Sequence, residues 1–148
     1  MINLFKNLFG IFIVIHLTGC ATISEPVKSL LGVSTKALEE AKVDAVGARY
    51  DCTYSECFDA VLSLGKDQAV DTSIKKKYYE VFQKNYKKGF IVVMGIPGQV
   101  DTTEVGVFLS EDTADKSINI QVSSLSTSAK HKAATAIFNE LDQHFNKK

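Results

Sequence analysis

The sequence has no tryptophan, only two prolines and three cysteines in 148 residues, and its 17 Lys+Arg balance its 17 Asp+Glu. Without a basic excess the chain lacks the electrostatic footprint of a nucleic-acid binder. The charged fraction, 23%, is that of an ordinary globular protein. Catalytic signatures are missing as well: there is no Gly-x-Ser-x-Gly elbow, no phosphate-binding loop and no His-Glu-x-x-His. His131 and His144 show no metal-ligand spacing. Asp101, Glu104, Glu111 and Asp112 lack the dense alternating oxygen donors of a calcium loop. No cofactor, no metal site and no enzymatic activity are therefore expected.

What is present begins near the amino terminus. Lys6 precedes Leu8–Leu17, which is apolar apart from His16 and leads into Leu17-Thr18-Gly19-Cys20. This is the three-part layout of a secretory signal. Its apolar core is half the roughly 20 residues that a membrane-spanning helix needs. A buried core helix would leave unexplained why the run stops at Gly-Cys and why the next stretch is polar. Leu17, Thr18 and Gly19 before Cys20, with Ala21 after it, resemble a bacterial lipobox. The resemblance implies cleavage before Cys20, acylation of Cys20 and, with Ala21 in place of Asp, an outer-membrane anchor facing the periplasm. Two or more acyl chains give stable anchoring where one gives marginal binding.

The expected organisation is a removed signal over 1–19, a lipidated amino terminus and tether over 20–50, and one domain over 51–148. Removing 1–19 takes away one lysine and no acid, leaving 16 basic against 17 acidic residues. Ala21–Ser34, with Pro26, Gly32 and several hydroxyl residues, reads as a flexible tether. Thr35–Val46 suits a short helix with Leu38, Ala41, Lys42 and Ala45 on one side, and Val46–Asp51 equally suits an edge strand.

Export would put the domain in an oxidising compartment, where Cys52 and Cys57 read as a disulfide. Thr53-Tyr54-Ser55-Glu56 fits a capping box, with Phe58, Val61 and Leu62 on the following helix's apolar face and Gly65 as a left-handed end. With Thr53 as N-cap, the two cysteines occupy the two positions of the hydrophobic staple, so a bond between them would be a covalent staple. For so short a loop it would contribute about 2 kcal/mol. The alternative is a pair of half-buried thiols.

Asp67–Lys77, including Lys75-Lys76-Lys77, is a polar connection. Tyr78–Lys84 alternates, Asn85–Gly89 is a turn with Gly89 suited to positive φ, and Phe90–Ile96 has the near-continuous apolar character of a strand covered on both faces. Thr102–Ser110 and Ser117–Ser124 alternate as a hairpin. A final helix starts in Ser126–Ser128, carries Ala133 or Ala134, Ile137, Phe138, Leu141 and Phe145 as its stripe, and ends near Lys147-Lys148. The expected fold is a two-layer α+β domain: a four-stranded, mainly antiparallel sheet packed by an N-terminal and a C-terminal helix. Both helices would cover Val105, Val107, Leu109, Ile118, Ile120 and Val122. The opposite face, with Thr102, Glu104 and Phe108, is a candidate contact patch.

Cys57-Phe58-Asp59-Ala60-Val61-Leu62, Lys87-Lys88-Gly89-Phe90-Ile91-Val92, Asp101–Phe108 and Val122–Ser126 resemble segments of small bacterial lipoproteins of unknown function. The resemblance spans about residues 50–145 and implies a fold, not an activity. The expectation is a lipid-anchored envelope protein acting as a structural or protein-interaction module, held to the membrane through Cys20. Its envelope partner would dock on the sheet's outer face or an edge strand, and nucleic acid is not a partner. The alternative is a module binding a small molecule or lipid between sheet and helices.

Overall fold

Period-two alternation and the apolar run of 90–96 resolve into a seven-stranded sheet in the computed structural model, which describes residues 35–67 and 78–148. Cys20, the signal segment, the tether to Ser34 and Lys75–Lys77 lie outside the described residues. The elements run α1 (Thr35–Glu40), a 3-10 turn (Ala41–Asp44), β1 (Val46–Asp51), α2 (Tyr54–Ser63), β2 (Gly65–Asp67) and β3 (Tyr79–Asn85). They continue with β4 (Phe90–Met94), β5 (Val105–Asp112), β6 (Ser117–Ser123), α3 (Thr127–His144) and β7 (Asn146–Lys147). Strand order is β2-β3-β4-β5-β6-β1-β7. Only β2 and β3 pair in parallel; the other neighbours are antiparallel.

The fold class is α+β, as expected. The four expected strands are β3 to β6, a meander, and three more strands extend it. β1 adds on to β6, so Val46–Asp51 takes the strand option and belongs to the sheet. The domain consequently starts well before residue 51. β7 pairs Lys147 with Tyr50 and Asn146 with Asp51. That pairing turns the expected last helical residues into a strand, and α3 stops at His144.

One sheet face carries the main core. α2 contributes Cys57, Phe58 and Val61, and α3 contributes Ala133, Ile137 and Leu141, against Val105, Val107, Leu109, Ile118, Ile120 and Val122. Tyr79 lies in this core, and its hydroxyl donates to the Val61 carbonyl over 2.5 Å. Burial holds that phenol well above the ordinary tyrosine range.

The opposite face is covered too. Leu38 of α1 packs with Phe90, Val92 and Phe108 as a second buried cluster. Gly106 opens the space beneath it, since a Cβ there would fall 3.2 Å from the Leu38 Cβ. Ser123 Oγ donates to the Leu38 carbonyl over 2.7 Å, and the Lys42 ammonium lies 4.7 Å from the centre of the Phe108 ring. β4 is therefore buried on both sides, as its apolar run requires.

Gly65 is not a left-handed helix end: positive φ among the glycines occurs at Gly89, Gly95 and Gly98. Its role is close approach, because a Cβ there would collide with the Val81 side chain and lie 3.1 Å from the Tyr79 ring.

Candidate functional site

The expected contact patch is not assembled. Phe108 is 8% exposed beneath α1 and Lys42, and Glu104 is 5% exposed at the approach to β5. Thr102 alone of the three is exposed, in the loop between β4 and β5. A single apolar side chain, Leu38, covers the aromatic pair that would otherwise have faced solvent.

Cys52 and Cys57 are brought together, their sulfur atoms at disulfide distance and their Cα atoms 6.0 Å apart. The local logic is the expected one. Thr53 Oγ1 accepts from the Glu56 backbone N–H over 3.3 Å, and the Thr53 N–H donates to the Glu56 carboxylate over 2.8 Å. The Thr53 hydroxyl also donates to that carboxylate over 2.7 Å, and this bond, then the one from the Thr53 N–H, holds the Glu56 carboxyl below its ordinary range. The staple fixes the corner where β1 enters α2.

Beside that corner three aromatic rings meet. Tyr54 and Phe58 stack with centroids 6.2 Å apart, and each meets Tyr86 edge-on at 5.0 Å. Tyr86 heads the turn between β3 and β4. Its carbonyl accepts from the Tyr54 hydroxyl over 2.8 Å and from the Gly89 N–H over 3.2 Å. Asn85 Oδ1 accepts from the Lys88 N–H over 3.0 Å. Gly89 takes φ +68°, and a Cβ there would strike the Leu109 carbonyl. Burial, then the neighbouring Tyr86 and Glu111, raise the Tyr54 phenol.

The other end of the sheet is built around the first turn of α3. Ser126 Oγ accepts from the Ala129 N–H over 3.3 Å as N-cap. Gln99 Nε2 donates to Ser128 Oγ over 3.1 Å, and Ser126 Oγ donates to Gln99 Oε1 over 3.4 Å. Ser124 Oγ donates to the Glu104 carbonyl over 2.7 Å. Lys130 is buried, and its ammonium donates to both the Asp44 carbonyl at 2.8 Å and the Asp44 carboxylate at 2.7 Å. The hydrogen bond and charge of Lys130 lower the Asp44 carboxyl, against a small opposing effect of burial.

Each of these tied residues has an exposed apolar neighbour in sequence: Val43 beside Asp44, Val100 beside Gln99 and Leu125 beside Ser126. They are 97%, 72% and 68% exposed, the three highest values among the large hydrophobics of the described residues. Single apolar residues in polar loops carry no periodic signal, which is why sequence pattern missed them. The neighbouring Ser-Leu-Ser-Thr-Ser segment marked only a helix start.

A third feature is an open cleft of about 360 Å³ lined by Tyr78, His131, Lys132, Thr135, Ala136 and Asn139. Among the described residues no group of three or more His, Cys, Asp and Glu is arranged to hold a metal ion. No described helix is long and apolar enough to cross a membrane. No protein-family model matches the chain, and neither a curated protein nor a solved structure gives a match.

Proposed function

We propose that the chain is a lipid-anchored envelope protein, held by acylated Cys20, that acts as an interaction module for another envelope protein. The observation that carries the docking reading is the rim of Val43, Val100 and Leu125 around the first turn of α3. Apolar side chains on a hydrogen-bonded frame lose little further order on binding, so more of their burial becomes affinity. The staple of Cys52 and Cys57 supports export, since such bonds persist in oxidising compartments. The rim replaces the outer sheet face as the docking surface, because α1 already covers Phe108. The alternative of a ligand between sheet and helices has less support, as Val61, Tyr79, Ile137 and Leu141 fill that space.

Two measurements test the proposal. Radioactive palmitate should label the wild-type chain and not the Cys20→Ser variant; labelling that survives the change removes the anchor. A photo-crosslinking residue at position 125 should capture one partner in intact cells, and Val43→Asp with Val100→Asp should abolish the capture. Capture that persists in the double variant refutes the rim.

A further inference from the structure

We propose that the turn between β3 and β4 is a membrane-contact tip that rests on the headgroups of anionic phospholipid. The inference rests on the anchored reading above for bringing the domain to a bilayer. Cys20 lies fifteen residues before Thr35, and fifteen extended residues reach at most about 50 Å.

The tip combines the two residue types that suit a bilayer surface. Tyr86 is 49% exposed, with its inner edge against Tyr54 and Phe58, so an amphipathic ring is presented from a rigid seat. Tyrosine rings favour the headgroup level, where one part of the ring is apolar and the hydroxyl stays wet. Lys87 and Lys88 follow in the same turn, both exposed, and neither forms an ion pair among the described residues.

Charge placement strengthens the assignment. Most acids at this end of the sheet are engaged elsewhere, and Glu111, exposed near Tyr54, is one acid against the two lysines of the turn. Asp112 and Asp115 lie 3.5 and 3.2 Å from Arg49, Asp51 lies 3.8 Å from Lys148, and Glu56 is used in the cap of α2. The tip thus keeps its positive charge outward. A lysine held near an anionic bilayer strengthens association about fivefold, and the effect is screened by salt. The opposite end of the sheet offers exposed apolar side chains in place of paired lysines, so contact at the tip leaves the rim turned away from the bilayer.

The absence of tryptophan makes the test direct. In the full chain, Tyr86→Trp places a single fluorescent reporter at the tip, and Val100→Trp places one at the rim as comparator. Each variant is combined with vesicles of phosphatidylcholine alone or with one third phosphatidylglycerol, carrying brominated acyl chains. On the anionic vesicles the tip reporter should shift to shorter wavelength and be quenched by bromine, while the rim reporter is not. Lys87→Glu with Lys88→Glu should cut the fraction of quenched tip reporter at least about tenfold, as should high salt. Equal quenching at tip and rim, no quenching at the tip, or quenching indifferent to lysine reversal would each overturn the proposal. Palmitate labelling reports on the anchor separately: a labelled chain with an unquenched tip loses only this inference, and an unlabelled chain with a quenched tip loses only the anchored reading.

Discussion

The end of the sheet at the β3–β4 turn and the end around the first turn of α3 are ordered by opposite means. At the turn, order comes from a sulfur pair, three packed rings and a glycine, so its lysine side chains are left for solvent. Around α3, order comes from polar side chains turned inward onto loop carbonyls, and the residues left outside are Val43, Val100 and Leu125. The chemistry used to rigidify each end determines which chemistry it can offer. A surface braced by apolar contacts presents charge, and one braced by hydrogen bonds presents hydrocarbon.

The severest way to break this comparison is Leu38→Ala. Its side chain fills the second core cluster, and emptying such a site costs about 2–5 kcal/mol. Hydrogen exchange should then report lost protection over 35–44 and around Val43, with the Tyr86 turn still protected. Equal loss at both ends would show that the two are one cooperative unit. Next comes the staple. Cys52→Ser with Cys57→Ser should lower stability by about 2 kcal/mol in denaturant titration and loosen the turn end first. Smaller again are the caps. Thr53→Ala and Ser126→Ala should each cost about 1 kcal/mol, with Thr53→Ala the larger because the lost hydroxyl also donates to the charged Glu56 carboxylate over 2.7 Å.

The smallest effect is acid sensitivity. Each end holds one carboxyl below its ordinary range, Glu56 through the cap and Asp44 through Lys130. A lowered folded pKa contributes stability that is present above the unfolded value, roughly 4, and is lost as pH falls through the folded value. Stability should accordingly decline below about pH 4. Lys130→Met should flatten the part of that decline due to Asp44, and Thr53→Ala the part due to Glu56, when melting temperature is followed against pH.

The helix-facing half of the sheet was legible because its residues alternate: Val105, Val107 and Leu109 with Ile118, Ile120 and Val122 point one way at period two. The start of α2 was legible because Thr53, Glu56 and the two cysteines sit at fixed offsets whose chemistry is local. The second face was not. Its cover depends on Leu38, one apolar residue in a charged stretch, and on its meeting Phe108 from seventy residues away. β2 and β7, of three and two residues, exist through their partners and have no pattern of their own. The rim escaped notice because its apolar residues are isolated in sequence, and only the hydrogen bonds of their neighbours Asp44, Gln99 and Ser126 tie them to one helix start.

The place of β1 in the sheet has a consequence in time. Val46 pairs with Val122 and Tyr50 with Lys147, so this early strand waits for partners from the far end of the chain. Until β6 and residues 146–147 have been made, β1 has neither neighbour and the sheet lacks that side. Pairings of such long sequence separation form slowly. A chain emerging from the ribosome therefore keeps β1 unpaired until residues 117–147 have been made.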